Sequence, residues 1–171
     1  MCSGNVLDAN LNILIRSPLK KFRDGFTLVE LLLTVAILGT LGAIGVPVYN
    51  GYIDNARNSA AAAEIRGVEL EILKFQAERG RPPDNFAEAG LSTRLDPWGK
   101  PYVYTRIQGL SQHDRDAKCR WDKLDKPLNN DFDLYSTGKD GASKPKITDK
   151  DSHDDIIRAH EGQYVGLACE Y

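Results

Sequence analysis

The sequence predicts an α+β fold in which a long N-terminal hydrophobic helix packs against a small antiparallel β-sheet. Three observations carry this. A largely apolar run from Leu28 to Val48 leads into a helix-periodic stretch that continues to Arg79. Gly80-Arg81-Pro82-Pro83 then ends the helix, with a glycine suited to the cap and prolines that cannot continue it. Beyond this stop come three short strand-like segments bounded by Gly- and Pro-containing turns. One helix followed by a few antiparallel strands defines the α+β arrangement.

The chain has 171 residues, enough for one domain of ordinary size or for one small domain plus an appendage. Net charge is −2, which argues against a nucleic-acid binder driven by a basic face. The charge is unevenly placed. Met1 to Gly25 holds Arg16, Lys20, Lys21 and Arg23 against Asp8 and Asp24, a contribution of +2, so the remainder carries −4. Positive charge just before an apolar run suits a cytoplasmic flank.

From Leu28 to Val48 a helix rising 1.5 Å per residue covers about 30 Å, the thickness of a bilayer's hydrocarbon. A secretory signal peptide should end in a small-residue cleavage site after its apolar run, and none occurs before Tyr49. Glu30 is the discriminating residue. A carboxylate within such a run costs a few kcal/mol unless it is paired or near the interface, so it marks function. A cut after Gly25 makes Phe26 the new terminus and puts a positive amine about one turn from Glu30. That amine, its own or a neighbour's, is the natural partner of the acid.

The string Gly25-Phe26-Thr27-Leu28-Val29-Glu30-Leu31, after a basic leader and before a long apolar helix, resembles the prepilin processing motif of type IV pilins and type II secretion pseudopilins. The resemblance implies that a prepilin peptidase cuts after Gly25 and methylates Phe26, and that Glu30 is the assembly carboxylate. It also implies the division of the chain: 1–25 a leader, 26–80 a long helix, 81–171 a periplasmic globular domain. Within the helix, 26–48 is the transmembrane and assembly half, and 49–80 packs on the domain. Two features depart from the family pattern: a 25-residue leader is long, and Asp24 places an acid directly before Gly25.

Pro47, with Gly39, Gly42 and Gly45 before it, predicts a weakened helical stretch, either a tolerated kink or a segment that melts when subunits assemble. From Asp54 to Arg79 a stripe of Ala56, Ala60, Ala63, Ile65, Val68, Ile72, Phe75 and Gln76 is expected to face the domain. Arg57, Glu64, Arg66, Glu69, Glu71, Lys74 and Glu78 are expected on the other sides.

In the globular part, Pro97 and Gly99 set a turn that feeds a strand at Tyr102-Val103-Tyr104. Phe132–Ser136 and Tyr164–Ala168 are the other strand candidates. Asp96-Pro97-Trp98-Gly99-x-Pro101-Tyr102-x-Tyr104, then Asp133-Leu134-Tyr135-Ser136-x-Gly138-x-Asp140-Gly141, then Asp154-Asp155-Ile156, resemble the major pseudopilin of type II secretion. The stretch from Ile157 to Tyr171 departs from that pattern. The resemblance implies a structural Ca²⁺ in the acidic loop. Side chains of Asp140, Asp154 and Asp155 would ligate it with backbone carbonyls near Thr137 and Ala142, and Asp151 is an alternative ligand. Flexible oxygen donors suit calcium better than a transition metal. The opposing reading is a solvated acidic loop balanced by Lys139, Lys144, Lys146 and Lys150. No EF-hand is present, since Cys119 stands where the run from Asp114 needs its glycine.

Cys2 lies in the leader, leaving Cys119 and Cys169. An even pair in an exported domain suggests one disulfide, worth about 4 kcal/mol for a loop of about 50 residues, against two unpaired thiols. His113, His153 and His160 lack metal-site spacing and Ser136 lacks a nucleophile-elbow context, so no enzyme is expected.

The resemblance implies a type II secretion pseudopilus subunit in the inner membrane, N-terminus cytoplasmic and domain periplasmic, that polymerises to support export across the outer membrane. Its partners would be prepilin peptidase, copies of itself, other pseudopilins and the inner-membrane assembly platform. The alternatives are a type IV pilus subunit and a membrane-tethered calcium-binding periplasmic module.

Overall fold

The computed structural model describes residues 25–92 and 94–171. The expected leader, Gly25 apart, lies outside the described residues. Helix α1 runs from Leu28 to Arg79 and is helical through Pro47. The chain divides within it into two compact units, one through Ile44 and one from Gly45.

In the first unit, every described residue is exposed, Leu28, Val29, Leu31 and Leu38 among them. This is a surface without an aqueous solution. Apolar area of that extent is covered by lipid or by other helices. Among the described residues, α1 is the one helix long and apolar enough to cross a membrane.

The second unit packs the C-terminal part of α1 against a four-stranded antiparallel meander: β1 Val103–Arg106, β2 Phe132–Ser136, β3 Ile156–Ala159 and β4 Tyr164–Leu167. Val103 pairs with Tyr135, Ser136 with Ile156, and Ile156 with Leu167. A short helix, α2, spans Gln112–Lys118 between β1 and β2, begun by the Ser111 side chain accepting from Asp114 N–H. Sequence periodicity missed α2 because it is brief and buries no residue. It also missed β3, a four-residue strand interrupted by Arg158.

The pleat sends alternate strand residues to opposite faces, and two cores result. Phe132, Leu134 and Ile156 meet Ala61, Ile65, Val68 and Ile72 of α1, with Leu91 and Tyr102. On the other face Ile157 and Ala159 join Leu128, Ile147 and Ala168. The C-terminal stretch that departs from the family pattern therefore builds β4 and closes the second core, and the Tyr171 hydroxyl donates to Asp125 at 3.1 Å. The helix stripe needs one correction. Ile65, Val68 and Ile72 face the sheet as expected, but Ala56, Ala60 and Ala63 are exposed and Ala61 is buried. Glu69, expected outside, is buried at 8% exposure. It turns inward because its partner is inside.

That partner is Arg158. Its Nε donates to Glu69 Oε1 at 2.7 Å and its Nη2 to Asp131 Oδ2 at 2.8 Å. Its Nη1 also reaches the Phe132 carbonyl at 3.0 Å, and the guanidinium lies 4.0 Å over the Phe132 ring. A buried cation held by two carboxylates and a carbonyl meets the requirement that interior charge be paired and hydrogen-bonded. Gly162 makes the space: a Cβ there would lie 1.9 Å from Glu69 Oε1, and its φ of +87° favours glycine in any case.

Candidate functional site

Two places carry the chemistry predicted from sequence: the start of α1 and the acidic loop after β2.

At the start of α1, Gly25 and Phe26 precede the helix in irregular chain. Thr27 occupies the cap position. Glu30 accepts from the Thr27 N–H at 3.0 Å and from its hydroxyl at 2.8 Å, while the Glu30 N–H donates to the Thr27 hydroxyl at 3.2 Å. This is a reciprocal capping box, closed by a T-x-x-E spacing. Thr27 is a residue the sequence reading passed over, although that spacing signals it. Glu30 is exposed and stands one turn from the bond after Gly25. Among the described residues nothing lies within 4 Å of where a Cβ at Gly25 would stand.

The acidic loop is reached through the turn before β1. Buried Asp96 accepts from Trp98 N–H at 3.0 Å and Lys100 N–H at 2.8 Å, and the Ser136 hydroxyl donates to its second oxygen. The Asp-Pro-Trp-Gly string is thus a side-chain-capped turn bolted to the end of β2. It aims Lys100 at the loop, where the ammonium donates to the carbonyls of Gly138 at 3.1 Å and Lys139 at 3.0 Å. Lys139 in turn pairs with Asp54 of α1 at 2.7 Å.

The predicted calcium ligands are distributed as follows. Gly141 N–H donates to the Thr137 carbonyl at 3.1 Å, and Ala142 N–H to Asp140 Oδ1 at 2.7 Å, so both form a turn. Asp154 Oδ2 accepts from Asp140 N–H at 3.0 Å. Asp151 pairs with Lys144 at 2.9 Å. Asp155, fully buried, accepts from Arg120 Nη2 at 2.6 Å and from the Ser143 hydroxyl at 2.7 Å. Burial pushes the Asp155 carboxyl above the usual carboxylate range, against the opposing pull of Arg120 and Ser143. Its other oxygen, Oδ1, is buried without a partner. Among the described residues no three His, Cys, Asp or Glu side chains converge to hold a metal ion. As folded, the expected ligands are already engaged within the chain: Asp155 by Arg120, Asp151 by Lys144, and Asp140, Asp154 and the Thr137 carbonyl by backbone N–H groups. Arg120 and Lys100 left no sequence signal for this role, as their partners lie 35 and 38 residues away.

The expected Cys119–Cys169 bridge is not formed: both thiols are free, Cys119 buried and Cys169 exposed. Cys119 closes α2 and is buried, whereas Cys169 lies exposed in the final turn of 3-10 helix. Burial, then the nearby Asp133 charge, push the Cys119 thiol up to about 11.

Comparison with known proteins agrees with this layout. Residues 20–46 match the family model described as the prokaryotic N-terminal methylation motif. The type IV major fimbrial protein FimA of Dichelobacter nodosus is 30% identical over 131 residues, 76% of each chain. Type II secretion system core protein G of Pseudomonas aeruginosa is 27% identical over 153 residues, covering 77% of this chain and 94% of that one. A fimbrial protein of Neisseria meningitidis is 33% identical over 78 residues, 46% of each chain, so the match takes in about half the length of that relative. No solved structure matches at a significant level. The motif at the helix start, the membrane-compatible helix and these likenesses define a pilin-type subunit. The chain belongs to the type IV pilin-like family whose members carry the N-terminal methylation motif.

Proposed function

We propose that this chain is a structural subunit of a type II secretion pseudopilus, polymerising through the N-terminal part of α1 to support protein export across the outer membrane. The observation that carries this reading is the reach of its likeness to core protein G, which takes in 94% of that relative. Coverage of 77% of this chain cannot be met by the leader and helix alone, so the likeness extends into the globular domain. The role is structural, and no catalytic step is assigned.

In this reading prepilin peptidase removes residues 1–25 and methylates Phe26. The basic flank of Arg16, Lys20, Lys21 and Arg23 keeps the N-terminus cytoplasmic and the domain crosses to the periplasm. Glu30 then meets a Phe26 amine, its own or a neighbour's. In hydrocarbon an unmatched charge costs several kcal/mol, so that pairing fixes the register between helices. Other pseudopilins and the inner-membrane platform complete the assembly.

A second reading, a type IV pilus subunit for adhesion or motility, is favoured by the match to FimA over 76% of both chains. A deletion strain separates the two. The first reading expects exoproteins to be retained in the periplasm while surface pili are unchanged. Normal exoprotein release with lost pili and twitching overturns it in favour of the second.

A further inference from the structure

We infer that the acidic loop of this chain is held by its own side-chain cations, Arg120 and Lys100, and does not depend on a bound divalent ion for its order. Three independent contacts lead there. Arg120 is 3% exposed and stacked 4.0 Å over the Tyr135 ring, and its guanidinium binds both Asp155 and Ser143, the latter at 2.7 Å. It ties the loop's far end to the segment after α2. Lys100 ties the near end, with its ammonium on the carbonyls of Gly138 and Lys139. Between them Lys144 bridges Asp149 at 3.1 Å and Asp151 at 2.9 Å.

The space is shaped around these cations. A Cβ at Gly141 would lie 2.5 Å from Lys100 Nζ, so the ammonium fills the hollow that the missing side chain leaves. A Cβ at Gly138 would lie 2.2 Å from the Asp154 carbonyl oxygen, so Asp154 closes tightly over the turn. Calcium needs six to eight oxygens at 2.3–2.6 Å. Here Asp155 Oδ2 is taken by the Arg120 guanidinium and Asp151 by the Lys144 ammonium, while Asp140 Oδ1, Asp154 Oδ2 and the Thr137 carbonyl accept from backbone N–H groups. An ion reaching Asp155 would also stand beside a buried guanidinium, where repulsion between like charges is only weakly screened. Asp155 Oδ1 is the one loop carboxylate oxygen left buried without a partner.

The test is thermal unfolding of the full chain in detergent, with excess calcium and with a chelator. The expected wild-type melting temperatures coincide to within about 1 °C, since no bound ligand is lost. A fall in chelator that calcium restores overturns the inference. Arg120→Met removes one partner of a buried pair and is expected to lower the melting temperature by roughly 10 °C. It frees Asp155, so added calcium is expected to recover part of that loss. An Arg120→Met protein that melts with the wild type also overturns the inference. If that variant does not fold, the wild-type chelation result decides. Lys100→Gln supplies the second variant, with an expected fall of a few degrees.

Discussion

Glu30 and Glu69 are both acids on α1 within largely apolar surroundings, and they are satisfied in opposite ways. Glu30 is exposed and takes its hydrogen bonds from Thr27, three residues away. Glu69 is buried and takes its bond from Arg158, 89 residues away. Around Glu30 every described residue from Gly25 to Tyr52 is exposed; around Glu69 the helix supplies Ile65, Val68 and Ile72 to a closed core. A carboxylate with only a local partner keeps capacity for something outside the chain. A carboxylate locked across a sheet has none to offer. The same residue type therefore stays exposed and locally capped at one end of the helix and braces the domain at the other.

Four measurements sharpen or break that contrast. The largest expected effect is at Glu30: Glu30→Gln keeps membrane insertion and the domain fold but abolishes filaments, read by shearing and electron microscopy. Normal filaments would remove the assembly role. Gly25→Val comes next, and is expected to leave the leader attached, read as an intact mass larger by residues 1–25; a mature-size mass defeats the cleavage assignment. Arg158→Met strands Glu69 and Asp131 without their buried cation and is expected to cost about 3–5 kcal/mol, with a fall in melting temperature of roughly 10 °C. Adding Glu69→Leu to it is expected to return part of the loss, because an apolar pair replaces an unpaired charge. If Arg158→Met melts normally, the second acid is no brace. The smallest effect is at the thiols. Cys169 is expected to alkylate promptly at pH 8, while Cys119, buried and protonated up to about pH 11, reacts only on unfolding. A chain with neither thiol reactive until reduced would restore the disulfide.

What was legible in the sequence follows from how local each feature is. The helix and its stop, the turn at Pro97 and Gly99, and β2 at Phe132–Ser136 are written in contiguous residues, and the structure places them as expected. The motif at Gly25, Phe26 and Glu30 is likewise contiguous. The inward turn of Glu69 was illegible because a buried glutamate reads as a surface one until Arg158 is known to face it. Strand β3 was hidden for the same reason, an arginine standing in the middle of an apolar segment. The acidic loop shows the limit most clearly. Asp140, Asp151, Asp154 and Asp155 suggest a ligand set by their crowding, but charge alone does not reveal whether the matching cation is a free ion or a distant side chain.

The Thr27–Glu30 cap has one further consequence. All of its donors and acceptors lie downstream of the bond after Gly25, and that bond stands outside the helical ladder. On the proposed cut after Gly25, the first turn keeps every one of these bonds, and the new terminus would emerge beside an acid whose position the remaining chain already fixes.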